Sequence, residues 1–466
     1  MKSEKPRARR RDFSFFILPS GFLYRPLYRF YRIFSWMRHW GQRRFTRAGL
    51  AVFAGGCVAA LLGVDPESSV GYQAFTLLLA LLFVAALFGF RFKTQFAVER
   101  LLPRFGTAGQ TFTYRVAVKN LTAKNQAGLT LVENLKDTRP KYAEWKALQL
   151  DDEKYVRPFS FSKRRRTNPF KLATATESAM PPLPAGQYTE VPVELTPLRR
   201  GLVRFDGVTL ARPDPLGLFR ALHRISLPQS MLILPKRYWL PHIALPGAMQ
   251  YQQGGVALAA NIGRSDEFVS LRDYRRGDPL RQIHWRSWAK AGKPIVKEVE
   301  DEFFVRHALI LDTFMERPYS DEFEEAVSVA ASFACTVLTQ ESLLDLLFVG
   351  TEAYCFTAGR GLAHADQMLE VLASVRPSNE PFDVLDKLVV NHANTVSGCI
   401  CVLLAWDDER QRLIKKLKAL GLPVMVLVIR AAGEKKPLEP GPMRDDPARL
   451  HGLEIGRIEE QLAVVR

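Results

Sequence analysis

The chain has 466 residues, 47% hydrophobic and 24% charged, with a formal net charge of +17 and five cysteines. Such values suit a folded protein of about three structural units. They exclude a disulfide-stapled secreted scaffold, a collagen-like repeat and a low-complexity disordered chain. The charge is concentrated at one end. Residues 1–47 hold thirteen Lys or Arg against Glu4 and Asp12, a surplus of eleven that leaves six for the other 419 residues. A nucleic-acid-binding protein carries its basic footprint on a folded surface. Here the footprint precedes apolar sequence, so no nucleic-acid partner is expected.

Residues 1–47 form a basic, aromatic tail. Phe22, Tyr24, Tyr28, Phe30, Tyr31, Phe34, Trp36 and Trp40 alternate with Arg25, Arg29 and Arg32, and the three arginines share one helix face. That mixture suits a helix in the headgroup layer, drawn to anionic membrane lipid. Ala48–Val64 and Val70–Phe90 lack charge and predict a transmembrane hairpin over 48–93, spans 48–64 and 70–90, turning at Asp65–Ser69. Both flanks are basic and the turn has no Lys or Arg. The positive-inside rule then predicts a multi-pass protein of the inner (cytoplasmic) membrane with both termini cytoplasmic. A second span after the first argues against a cleaved signal peptide.

From 95 to 240 the period changes to two, as in Thr111–Val118, Leu129–Val132 and Thr189–Leu195, with Gly and Pro between. This predicts a β-rich, sandwich-like module. Residues 151–180, with Asp151–Lys154 and Lys163–Arg166, read as an excursion from it. The run Pro213-Asp214-Pro215-Leu216-Gly217-Leu218-Phe219 predicts a turn anchored by Leu218 and Phe219.

Residues 241–302 comprise a linker and the densest motif of the chain. Asp278 and Pro279 predict a helix start, Leu280, Ile283, Ser287 and Ala291 share a face, Gly292 ends the helix, and Ile295–Val299 resumes as a strand. Arg272, Arg275, Arg276, Arg281, Arg286 and Lys290 surround it, with seven carboxylates close by in sequence. Two readings stand: scaffolding between domains, and a surface that docks an acidic or phosphate-bearing partner. Residues 303–430 alternate apolar strands with amphipathic helices and predict a doubly wound α/β domain, whose sites lie at strand carboxyl ends. Residues 431–466 read as a C-terminal tail.

The run Glu267-Phe268, Leu271-Arg272-Asp273-Tyr274, Gly277-Asp278, Arg281, Ile283, Trp285, Val296 and Glu298 resembles the signature of bacterial domain of unknown function 58 proteins. Leu101-Leu102-Pro103, Arg199-Arg200-Gly201 and Asp214–Phe219 are similar to that family's upstream pattern. The resemblance implies a membrane anchor, a von Willebrand factor A-like α/β domain and a chaperone-like or assembly role. It also implies the company of a MoxR-type AAA+ ATPase and a transglutaminase-like membrane protein. Its signature residues are Arg272, Tyr274, Gly277, Asp278, Arg281, His284 and Trp285.

A von Willebrand factor A fold often holds Mg²⁺ on Asp-x-Ser-x-Ser after its first strand, because hard cations take oxygen ligands. This chain has Asp312-Thr313-Phe314-Met315-Glu316 there. Both Ser positions are replaced, so Asp312 and Asp407 make a degenerate site. No cofactor is expected, Mg²⁺ being the one ion the pattern leaves open, and the plain reading is that both carboxylates cap turns. Cys399 and Cys401 share a strand face without a second ligand pair, and no HExxH motif, phosphate loop or Ser/His/Asp order occurs. The expected function is therefore a non-enzymatic membrane adaptor. The rival is a membrane-tethered metal-dependent hydrolase using Asp312, Asp407 and His284.

Overall fold

The computed structural model describes residues 24–62, 69–90, 92, 94–136, 139–155, 171–241, 268–276, 278, 280, 283–299, 306–315, 319–339, 343–350, 352–358, 362–434 and 437–465. They fall into two compact units, Met1–Met231 and Leu232–Arg466. Residues 65–68 of the expected turn at Asp65–Ser69, the basic quartet 163–166 and the signature residues Gly277 and Arg281 lie outside the described residues.

The first unit opens with three helices: α1 (Tyr24–Arg44), α2 (Arg47–Leu62) and α3 (Ser69–Phe90). Among the described residues one stretch, Val70–Gly89 of α3, is long and apolar enough to cross a membrane, and little of it is fully buried. The 16 residues of α2 span about 24 Å, short of the roughly 30 Å hydrocarbon layer, so its length alone does not make it a span as expected. Helix α2 packs on α3 through its small residues, with Leu78 beside Gly55 and Gly56.

Next come β1 (Phe96–Leu101), β2 (Phe105–Thr107), β3 (Phe112–Asn120), β4 (Thr130–Leu135), α4 (Tyr142–Tyr155), β5 (Ala173–Ala175), β6 (Ser178–Ala179), β7 (Tyr188–Pro197), β8 (Gly201–Pro213) and β9 (Arg220–Leu234). They build two sheets, ordered β1-β3-β7-β5 and β2-β9-β8-β4-β6. Alternation decides the inner face. Tyr114, Val116 and Val118 of β3 and Val191, Val193 and Leu195 of β7 are buried, while Thr113, Arg115, Glu190 and Glu194 point out. Tyr114 meets Phe205 of β8 edge-on at 6.3 Å, joining the sheets. Between them lies a buried ion pair: Arg100 of β1 grips Glu133 of β4 with Nε and Nη2 at 3.0 and 2.7 Å. Its remaining donors reach Gln229 and the carbonyls of Leu227 and Gly207. The guanidinium is therefore fully satisfied, as a buried charge must be.

Two attachments tie the first helices to this sandwich. Trp145 of α4, a helix the alternating pattern did not predict, receives Tyr24, Tyr28 and Tyr31 of α1 at 5.6–6.4 Å between rings. Tyr28 also donates its hydroxyl to the Pro140 carbonyl at 2.9 Å. The second attachment is the turn after β8. The Asp214 carboxylate accepts from the backbone N–H groups of Leu216, Leu218 and Phe219. Leu218 and Phe219 form a cluster with Ala85 of α3, lined by Phe45 and Val52. Thr46 donates to the Gly217 carbonyl at 2.5 Å. Gly49 allows this approach: a Cβ there would lie 1.9 Å from the Leu218 carbonyl oxygen.

The second unit holds β10 (Phe268–Asp273), α5 (Trp285–Ala291) and β11 (Ile295–Val299). Then follow β12 (Arg306–Leu311), α6 (Asp321–Thr339), β13 (Leu343–Val349), β14 (Ala353–Ala358), α7 (Leu362–Ser374), α8 (Asp383–His392), β15 (Gly398–Leu403), α9 (Asp408–Ala419), β16 (Val424–Arg430), β17 (Leu450–Glu454) and α10 (Ile458–Leu462). Six strands form one sheet in the order β14-β13-β12-β15-β16-β17, parallel throughout except for β14 at one edge. Its middle strands are apolar on both faces, as a parallel sheet covered by helices requires. Ile310, Leu347, Cys401 and Val426 pack under Leu385 and Val389 of α8 and Leu413 and Leu417 of α9. Leu309 and Leu311 point to the other face, which α6 covers. The expected boundary at 430 is corrected: residues beyond it supply β17 and the buried side chains Met443, Leu453, Ile458 and Leu462.

Candidate functional site

The sheet reverses its winding between β12 and β15, and clefts in open α/β sheets form at such a reversal. Asp312 follows β12 at that point, with a completely buried side chain. Its backbone N–H donates to the Val402 carbonyl at 2.9 Å. Each carboxylate oxygen serves two donors. Oδ1 accepts from the Phe314 N–H at 3.0 Å and from Arg410 Nη2 at 3.3 Å. Oδ2 accepts from the Leu404 N–H at 3.0 Å and from Arg410 Nε at 2.8 Å.

Arg410 is the residue that sequence reasoning missed. It sits in the first turn of α9, where the helix dipole disfavours a cation. Asp407, the residue before that helix, caps it by accepting from the Arg410 N–H at 3.1 Å and binds the guanidinium Nη1 at 2.5 Å. The Phe382 ring lies 4.9 Å from the guanidinium carbon, and Phe314 meets Phe382 edge-on. Burial works against the charge on Arg410, but the two carboxylates outweigh it and raise its pKa. The sequence did hold a hint, since a cation within Asp407-Asp408-Glu409-Arg410 at a helix start needs compensation from elsewhere.

These residues do not fit a divalent cation. The guanidinium lies between Asp312 and Asp407, where a metal held by both would sit. The Thr313 hydroxyl is turned away and donates to the Val349 carbonyl at 2.5 Å, and Phe314 offers no ligand atom. Both carboxylates cap turns, in line with the plainer expectation. His284, the third member of the rival set, shares no described hydrogen bond or ion pair with either of them. Its Nδ1 pairs with the Ser287 hydroxyl at 2.7 Å.

The signature motif folds as a hairpin with a helical insert. Strands β10 and β11 pair antiparallel, with Arg272 opposite Val296 and Asp273 opposite Ile295. The expected helix from Asp278 is met in part: Leu280 lies in a 3-10 turn, residues 279, 281 and 282 lie outside the described residues, and the α-helix α5 begins at Trp285. Arg272 takes the Asp278 carboxylate instead, in a two-pronged bond of 2.7 and 2.8 Å, and the Arg275 N–H adds a third donor at 2.7 Å. The bond from Arg272 and then that from the Arg275 backbone hold the carboxyl down at about 2, below its ordinary 3.8. The expected stop holds, with Gly292 left-handed at φ 69° and its N–H on the Trp288 carbonyl.

Ile283 and Val296 are buried inside the hairpin and paired as a bridge. The opposite holds for Leu280 and Trp285, which are 68% and 64% exposed. Trp285 stacks on Trp288, one turn on, with ring centres 5.2 Å apart. Arg275, Arg276, Arg286, Lys290 and Lys297 are exposed around them, and Tyr274 is half-buried, its N–H on the Pro294 carbonyl. The hairpin thus spends its internal polar groups on bracing a loop and leaves aromatic and cationic groups facing outward.

Residues 270–432 match the family model described as Protein of unknown function DUF58. Over 182 residues the chain is 29% identical to the uncharacterized protein YeaD of Bacillus subtilis (strain 168), covering 39% of this chain and 44% of that protein. The match therefore spans less than half of the curated relative's length. Among solved structures, a mutant Salmonella alpha-2-macroglobulin is 15% identical over 33% of this chain and 9% of its own, with a TM-score of 0.18. The PapD-like domain of human CEP192 is 10% identical over 30% of this chain and 86% of its own, with a TM-score of 0.16. Scores that low carry no inference about fold.

Proposed function

We propose that this chain, a member of the DUF58 family, is a membrane-anchored adaptor that presents its signature hairpin to a protein partner. One observation carries the reading: the hairpin is locked from within by Arg272 and Asp278 while Leu280, Trp285 and its cations face solvent. Tryptophan and arginine are the residues on which protein interfaces most depend. The partner is a MoxR-type AAA+ ATPase, with a transglutaminase-like membrane protein in the same assembly. The α/β unit is von Willebrand factor A-like. Its support is the strand order, with the third strand antiparallel at the edge and an Asp at the reversal point. The anchor is the pair α2 and α3 in the inner membrane, with both termini in the cytoplasm. Its support is the exposed apolar surface of α3, its packing on α2, and the basic residues Arg43 and Arg44 ahead of the pair with Arg47 at its first position.

Metal-dependent hydrolysis would require Arg410 to leave both of its carboxylates, so the geometry favours the adaptor. The test is binding of the purified ATPase to the detergent-solubilised chain. Trp285→Ala weakens binding about thirtyfold or more, as truncation of an interface hot spot does, and leaves the melting temperature unchanged. Unaltered affinity would remove the hairpin from the interface.

A further inference from the structure

Helix α1 is docked by its less apolar face. Tyr24, Tyr28, Tyr31 and Ser35 recur at helical spacing and form its buried or half-buried stripe. The three tyrosines gather around Trp145 of α4, and near the other end Arg43 donates to the Asn134 side-chain oxygen and the Glu133 carbonyl of β4. The helix is thus fixed to the sandwich near both ends. Away from that stripe Phe30, Ile33, Phe34, Trp36, Met37 and Trp40 are exposed, Phe30 by 70%, and Phe30 stacks on Phe34. A surface helix of a water-soluble fold turns its apolar face inward. A contiguous apolar row left outside marks a place of protein or membrane contact.

Position and charge say what covers the row. Trp40 meets Phe45 and Phe219 with ring centres 6.1 and 6.4 Å apart. Phe219 packs with Ala85 of α3 and lies beside Gly89 in the last turn of that helix. The end of α1, the start of α2 and the end of α3 therefore meet at one turn of the sandwich, and the end of a span lies at the membrane surface. Helix α1 also contains six arginines and no Asp or Glu. Two such helices set face to face would repel, because neither brings a carboxylate to the other. The anionic surface of a cytoplasmic leaflet attracts basic residues next to a span.

We propose that α1 is a second membrane contact, lying in the interface with its exposed row among the headgroups and first acyl carbons of the cytoplasmic leaflet, as amphipathic surface helices do. Because α1 is fixed to α4 and β4, this contact seats the β-sandwich on the leaflet. The inference rests on the membrane reading above and adds to it the face that touches lipid and the placement of the sandwich.

The test reads tryptophan emission from the full chain reconstituted into vesicles of phosphatidylcholine and phosphatidylglycerol. The acyl chains carry bromine, a contact quencher, either near the headgroup or near the bilayer centre. Shallow bromine is expected to quench at least about twofold more than deep bromine, because an interfacial helix sinks only to the acyl boundary. Of the seven tryptophans, Trp36 and Trp40 should carry the effect. Trp36→Phe with Trp40→Phe should therefore remove most of the quenching, and Trp285→Phe with Trp288→Phe should leave it unchanged. Phe30→Ser with Phe34→Ser should lower it about twofold or more, by loss of apolar area, with circular dichroism like that of the parent. Equal quenching without Trp36 and Trp40, or stronger quenching by deep bromine, overturns the proposal. A detergent-solubilised dimer that Phe30→Ser with Phe34→Ser turns into a monomer also overturns it, by making a second copy the occupant. Quenching seen only after deletion of residues 1–22 overturns it as well, by making the preceding chain the cover. Carbonate washing of native membranes tests the spanning pair α2 and α3 separately. A chain released by the wash whose Trp36 and Trp40 are still quenched refutes the spanning pair alone, and a retained chain without that quenching refutes the α1 contact alone.

Discussion

Replacing Arg410 by Met strips the cation from a carboxylate that no solvent reaches. Asp312 keeps the N–H donors of Phe314 and Leu404, so part of its need is still met. Removing one partner of a buried pair costs about 3–5 kcal/mol, and the two retained donors put this site near the lower figure, about 3 kcal/mol. A unit of this size loses about 2–4 °C of melting temperature per kcal/mol, so the expected fall is about 6–12 °C. Scanning calorimetry of the detergent-solubilised chain, which separates the transitions of two units, measures it. Arg410→Met combined with Asp312→Asn should recover at least about 1 kcal/mol relative to the sum of the single changes, because the two side chains touch. A single-variant cost below about 1 kcal/mol, or strict additivity, would falsify the assignment of Arg410 as the counter-ion of Asp312.

Three further outcomes follow from the same geometry. Millimolar Mg²⁺ should leave the melting of the α/β unit unmoved; a rise that Asp312→Ala abolishes would show that a cation displaces Arg410. Asp278 has a pKa lowered to about 2 in the fold, so its contribution is complete above its ordinary 3.8 and is lost as pH falls through 2. Emission from Trp285 and Trp288 should report that transition near pH 2 and lose it in Asp278→Asn, whereas a midpoint at the ordinary carboxylate value would contradict the Arg272 bond. Gly49→Ala should cost about 1–3 kcal/mol by overpacking and expose residues 213–219 to protease; unchanged resistance would mean that α2 and the turn are not in contact.

The parallel strands of the α/β unit were legible because a strand covered on both faces must be apolar throughout, as in Gly398–Leu403. The sandwich was legible where alternation is strict, in β3 and β7. Tertiary pairing defeated the reading elsewhere. Asp278-Pro279 has the chemistry of a helix start, yet Arg272, six residues earlier, claims the carboxylate and the chain enters α5 only at Trp285. Leu450-His451-Gly452-Leu453-Glu454 has little strand character of its own; the unpaired edge of β16 makes it β17. The site itself was half visible. Asp312 and Asp407 could be picked out as acids after strands, but that a side chain 98 positions from Asp312 would lie between them is not encoded in any local pattern.

The seat of Leu218 and Phe219 against α2 and α3 bears on how this molecule can be divided. Cutting the polypeptide after residue 93 to obtain a water-soluble fragment takes away Phe45, Val52, Leu81 and Ala85 and bares an oily knob on an otherwise folded sandwich. Such a truncation would self-associate through that knob, and polar replacements at positions 218 and 219 are the repair that the packing suggests.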